Sequence, residues 1–263
     1  MRLFHEEDMA GIHISSLGAY KSSDLEFLRK YPSVRLVLVS DGTGIDLKGL
    51  AYLADMEHLT LDHYDAPIPL SGFATLKTFA GEWSRGLDFE HGCESLRSLT
   101  LSKYKAKDLG AFPCIPSLSE LELMQPSIAS LDGIERHLHI EKLQFFRCLQ
   151  LTSIGAIAGL KDGDLEYIAF RQCKKINDVE ALGELSHVKN ITLETCGAVD
   201  SLKFLLGCQE LEGVGFFETD VLDGDLSPLL QLPHLSFVGM SDKRHFSHTK
   251  SEIIRLLNAN QEA

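Results

Sequence analysis

The sequence predicts an α/β repeat solenoid of about ten to eleven coils with helical caps. Each coil would add one short strand to a curved parallel sheet on the concave side. The convex side would carry short 3₁₀, irregular or helical segments. Three observations predict this. A pattern LxxLxLxx returns along nearly the whole chain, it returns at a narrow range of steps, and apolar residues between the strands fall at every third position.

The template fits best at Leu96-Leu99-Leu101, Leu118-Leu121-Leu123, Ile140-Leu143-Phe145 and Leu165-Ile168-Phe170. It continues at Val188-Ile191-Leu193, Leu211-Val214-Phe216 and Leu235-Val238-Met240. Upstream it loosens to Met56-Leu59-Leu61, Leu76-Phe79-Gly81, Leu36-Leu38 and Met9-Ile12-Ile14. The middle positions, 12, 36, 59, 79, 99, 121, 143, 168, 191, 214 and 238, are separated by steps of 20 to 25 residues. That step is too short for a helix-pair repeat of 33 residues or more and sits in the range of a strand-containing coil.

The elements follow in order. Ser23 and Glu26 have capping-box spacing for a short helix through Leu25, Phe27 and Leu28 that stops near Pro32, so residues 1–33 read as an N-terminal cap and first coil. Over 34–244 each LxLxx is a strand whose period-two alternation sends residues such as Ile191 and Leu193 inward. Between strands, Cys173, Ile176, Val179, Leu182, Leu185, Val188 and Ile191 are spaced by three, which suits 3₁₀ turns, where i and i+3 eclipse. Asp132-Gly133 and Asp162-Gly163 supply turn chemistry. Thr249 and Glu252 open a helix carrying Ile253, Ile254, Leu256 and Leu257, a C-terminal cap over 245–263. No coil covers its own apolar face, so the reading is one domain, 1–263, stable only as a stack.

On these residues the chain resembles the leucine-rich-repeat family. Family repeats place Asn or Cys three positions beyond the second strand apolar residue, and Cys148, Cys173 and Cys196 hold that column as a structural ladder. Elsewhere the column holds Asp41, Tyr64, Ser84, Tyr104, Pro126 and Thr219, a departure that implies less regular turns. The segment from Cys173 to Asp178 is similar to the cysteine-containing subclass. The resemblance implies a protein-recognition scaffold whose concave sheet is the contact surface.

Composition narrows the function. Against 25 bases there are 38 acids, giving a formal charge of −13, a field that repels nucleic acid and anionic lipid and favours a basic partner. No apolar run reaches the ~20 residues of a membrane span. Acids occupy the opening MRLFHEEDMAGIHISS where a secretory signal would be apolar, so a cytoplasmic protein is expected.

Candidate chemistry is sparse. Six cysteines lack CxxC pairs, GxxxxGK[ST] and HExxH are absent, and Asp41-Gly42-Thr43-Gly44 is a turn signal. Ladder cysteines on coils ~4.8 Å apart leave a disulfide or metal open, but shared packing suffices for them. His137 with His139 and His245 with His248 lack further ligands at metal spacing. An enzyme hidden at Asp62, His63, Glu82 and His91 is a minor alternative. The expectation is no enzyme, no cofactor and no metal.

The alternation also orders the outward face. Its central row, Val37, Thr60, Ala80, Thr100, Glu122, Gln144, Ala169, Thr192, Gly215 and Gly239, is mostly small, which reads as a shallow floor. Flanking it are Met124, Phe146, Tyr167, Arg171, Glu194, Phe217 and Phe237. Aromatic and Arg side chains facing out from a strand are the usual anchors of protein interfaces, so these residues with Gly215 form the candidate binding site. Trp83 is a second candidate anchor. Two partner classes remain open: a toxin domain neutralised by a cytosolic inhibitor or immunity protein, and an enzyme placed by a regulatory or adaptor subunit.

Overall fold

The computed structural model describes all residues except 1, 7–8, 16–23, 66–67, 85–86, 90–92 and 262–263. Its strands are β1 (Arg2–Glu6), β2 (Met9–Ile14), β3 (Leu36–Val39), β4 (His58–Leu61), β5 (Ile68–Pro69), β6 (Thr78–Glu82), β7 (Leu87–Asp88) and β8 (Ser98–Ser102). They continue as β9 (Glu120–Met124), β10 (Lys142–Phe146), β11 (Tyr167–Arg171), β12 (Asn190–Glu194), β13 (Gly213–Gly215) and β14 (Phe237–Gly239), and the chain ends in helix α1 (Lys250–Gln261). Contacts divide the chain into one unit of Met1–Tyr104 with Pro113–Leu121 and another of Lys105–Phe112 with Glu122–Ala263.

In the first unit β2, β3, β4, β6 and β8 pair in parallel, in chain order. In the second, β10 to β14 do the same, with Ile168 beside Ile191 and Ile191 beside Val214. The coils are held together by a repeated backbone device. The carbonyl of the residue two before each middle position accepts two amides from the next coil: Glu141 O takes Glu166 N at 2.9 Å and Tyr167 N at 3.0 Å. Glu166, Lys189 and Glu212 carbonyls do likewise. Connections opposite the strands are 3₁₀ turns such as Gly155–Leu160, Val179–Glu184 and Lys203–Gly207, as the spacing of three requires.

A ladder of left-handed residues turns the chain out of seven strands, β4 and β8 to β13. His63, Lys103, Gln125, Arg147, Gln172, Thr195 and Glu218 all have φ between 49° and 58°. A non-glycine residue there is strained by about 1–2 kcal/mol. The strain is offset where the amide of the twisted residue reaches the next coil: Arg147 N donates to Arg171 O, and Gln172 N to Glu194 O, each at 2.8 Å. Nothing in the residue types announces this ladder, since it contains no glycine and only one asparagine-like amide pair, Gln125 and Gln172.

Three expectations are corrected. In Leu36–Val39 all four residues are apolar, so alternation alone does not say which face in; pairing of Val37 with Ile12 and Leu59 settles it. Val37 and Val39 are buried, Leu36 and Leu38 face out half-buried, and the turn column at this coil holds buried Gly42 in place of Asp41. Leu38, not Val37, therefore opens the central outward row. At the N-terminus the first parallel strand is flanked by an antiparallel one, β1 pairing with β2 from Arg2↔His13 to Glu6↔Met9. The 3₁₀ turn Glu26–Lys30 exists, but Ser23 lies outside the described residues, and the Glu26 amide donates instead to Asp24 Oδ1 at 3.1 Å. In α1 the capping pair forms, with Thr249 N donating to Glu252 Oε2 at 2.8 Å. Ile253 and Leu257 are buried, whereas Ile254 points outward.

Candidate protein-recognition face

The site lies on the outward side of β10 to β14, in the second unit. Alternation places Lys142, Gln144 and Phe146 on that side of β10, Tyr167, Ala169 and Arg171 on β11, and Asn190, Thr192 and Glu194 on β12. Arg171 organises the middle. Its Nη2 donates to Tyr167 Oη at 2.9 Å, its Nη1 to Gln144 Oε1 at 3.1 Å, and its Nε lies 3.5 Å from Glu194 Oε2. Tyr167 and Arg171 straddle Ala169 on one strand face, so their bond arches over it, and Ala169 is fully buried. Lys142 Nζ lies 5.8 Å from the Tyr167 ring centre. Met124 and Phe146 are half-buried in the row that continues through Arg171.

Two coils on, the face is aromatic. Phe217 is 37% exposed and Phe237 59% exposed. A Cβ built on Gly239 would lie 2.6 Å from Phe217 Cε2 and 3.3 Å from Phe237 Cε1. Both rings therefore rest over Gly239, which only glycine permits. Lys250 of α1 places its Nζ 5.9 Å from the Phe217 ring centre.

This changes the reading of the small central row. Ala169, Gly215 and Gly239 are buried beneath or between the protein's own side chains, so Gly215 offers no contact surface of its own. A Cβ at Gly215 would meet Thr192 at 3.7 Å, ordinary contact. Small residues here leave room for Arg171, Phe217 and Phe237 over the sheet, and the surface a partner meets is those side chains rather than bare backbone.

Behind the face runs the turn column. Thr219 Oγ1 donates to Leu193 O at 2.6 Å and accepts Cys196 N at 3.0 Å. Cys196 Sγ donates to Phe170 O at 3.3 Å, and Cys173 Sγ to Phe145 O at 3.7 Å. Each polar side chain thus bonds the carbonyl of the penultimate residue of the previous strand. All three cysteines are buried free thiols. A hydrogen bond to Cys173, with burial added, holds the Cys148 thiol protonated, and burial pushes Cys196 up to about 12. The same Cys148 contact lowers the Cys173 pKa, so it is Cys148 and Cys196 that are poor nucleophiles at neutral pH.

Other candidates resolve individually. Trp83 is half-buried edge-on against Tyr104, with ring centres 4.7 Å apart. His63 Nδ1 stands 3.9 Å from Glu82, which Lys103 already pairs at 3.0 Å, and His91 lies outside the described residues. His139 pairs with Asp164 at 3.1 Å and His187 with Glu210 at 2.9 Å, along the leading edges of the strands. A cleft of about 360 Å³ opens beside them, lined by Glu141, Glu166 and Lys189 among others. His245 stands 3.3 Å from Asp220, and His248 bonds Ser247. His137 instead is buried against Phe112, its Nε2 without a partner, and burial lowers its pKa. Among the described residues no three His, Cys, Asp or Glu side chains converge as a metal site, and no helix is long and apolar enough to cross a membrane.

No protein-family model matches the sequence, and no curated protein matches it. Among solved structures the chain is similar to an internalin (InlF) of Listeria monocytogenes, at 15% identity over 88% of this chain and 69% of that one, with a TM-score of 0.58. It is also similar to a leucine-rich-repeat protein of Leptospira interrogans, at 16% identity over 90% of this chain and 62% of that one, with a TM-score of 0.67. The chain thus spans less than two thirds of the Leptospira protein. At these identities what is shared is the fold, and the fold is the leucine-rich-repeat one.

Proposed function

We propose that this chain is a non-catalytic recognition scaffold that binds a partner protein on the outward face of β10 to β14. The observation that carries the reading is the concentration of anchor-type side chains there: Phe146, Tyr167, Arg171 and Phe237 stand on the same side of neighbouring strands, and Phe217, just past β13, lays its ring over Gly239 on that side. Desolvated aromatic and Arg side chains contribute most of the binding energy at protein interfaces. These anchors are held in place before any partner arrives. Arg171 is fixed by three side chains and Phe217 and Phe237 rest over Gly239, so little ordering entropy is lost on docking.

The charge of −13 favours a basic partner. It supports the inhibitor reading, in which the chain masks a basic toxin domain, over the adaptor reading, which asks nothing of the charge. The test is Phe146→Ala combined with Phe217→Ala, assayed against any toxin domain encoded beside the chain and against proteins co-purifying with it. Binding should weaken by about 100-fold, two anchors of roughly 1–2 kcal/mol each, while thermal unfolding stays nearly unchanged. Unaltered affinity moves the interface off this face.

A further inference from the structure

We infer that the Phe217–Phe237 plate is a docking point for an arginine-bearing segment of the partner protein. The inference rests on the recognition-face reading and names the chemistry one part of that face selects.

Two exposed phenyl rings meeting over Gly239 form an apolar surface, and each ring carries negative quadrupole faces. The chain already sets a cation against one of them, Lys250 at 5.9 Å from the Phe217 centre, so this ring accepts positive charge from its own helix. One neighbouring carboxylate is unpaired. Glu218 follows Phe217 directly, is exposed, and has no ion-pair partner among the described residues.

Apolar rings beside a spare carboxylate suit one side chain above others. Arginine stacks its guanidinium on an aromatic face while donating in its own plane to a carboxylate, and it gives up hydration more readily than lysine. A purely apolar partner side chain would use the rings and leave Glu218 to be desolvated unpaired, which is unfavourable. Arginine uses both.

The test uses the full chain and three fluorescein-labelled peptides of equal length, identical except that Arg, Lys or Gln flanks a central Leu. Polarisation titrations at low salt should show the Arg peptide binding about tenfold tighter than the Gln peptide, with Lys between them. Phe237→Ala should weaken the Arg peptide by about five- to tenfold, and Glu218→Gln by about threefold, with no change for the Gln peptide. Both variants should fold: Phe237 is exposed, and Gln already occupies the same left-handed position at Gln125 and Gln172. Equal binding of the Arg and Gln peptides overturns the inference, as does an Arg peptide whose affinity survives Phe237→Ala. If that surviving affinity is instead lost in Tyr167→Ala, the inference falls while the recognition face stands.

Discussion

Removing one hydroxyl from the turn column tests how the coils are joined. Thr219 is 1% exposed, and its Oγ1 both donates to Leu193 O and accepts from Cys196 N, so one oxygen satisfies two buried backbone groups of the preceding coil. Thr219→Val keeps the shape and deletes both bonds. Leaving a buried backbone group unpartnered costs about 1–3 kcal/mol, so two such groups, partly relaxed, should cost about 3 kcal/mol. Thr219→Ser keeps the hydroxyl and loses one methyl, worth about 1 kcal/mol. In equilibrium urea unfolding followed by far-UV circular dichroism, Thr219→Val should shift the midpoint down by about 1 M at a slope near 3 kcal/mol per M, and Thr219→Ser by about a third of that. If the valine variant is as stable as the serine variant, or more so, the hydroxyl does not join the coils and the column is packing alone.

Further consequences follow from the same geometry. Gln172→Gly, at φ 56°, relieves left-handed strain and should raise stability by about 0.5–1 kcal/mol in the same urea assay. Leu193→Asp places an unpaired carboxylate in the core and should abolish the cooperative transition, since that cost approaches total stability. His137 is buried with its pKa lowered from 6.5, so the folded state disfavours its proton; its contribution is whole above the unfolded pKa and is lost as pH falls below about 6.5. His137→Phe should therefore be stabilising at pH 5.5 and flatten the stability profile between pH 7 and 5, as read by thermal melts. Lys243 holds the Asp220 carboxyl below its ordinary 3.8, so the stability it lends is present at neutral pH and is lost as pH falls through the depressed value. Asp220→Asn should be nearly silent below that depressed value and slightly destabilising at pH 7.

Most of the coil arrangement was legible because burial alternates along a strand and recurs once per coil. Ile168, Ile191 and Val214 align in the register their spacing predicts. Where every residue of a strand is apolar, as in Leu36–Val39, period two carries no phase, and only the partner strands fix it. The outward residues Phe217 and Phe237 were legible by the same alternation, but their resting place was not. That depends on ring orientation over Gly239, which a one-dimensional pattern does not encode. For the same reason the central glycines read as open floor when they are filled from the side. The left-handed ladder was invisible because backbone torsion is imposed there by the neighbouring coil's carbonyls, against the preference of residues such as Arg147 and Thr195.

The stacking itself is best tested by nuclear Overhauser contacts between methyl groups in protein labelled only at Ile, Leu and Val methyls. Cross-peaks joining Ile168 to Ile191 and Ile191 to Val214 are expected, because neighbouring parallel strands bring these pairs side by side. A spectrum that lacks both while joining any of the three to Leu36 or Leu38, which face the other way, contradicts the register and with it the aromatic face.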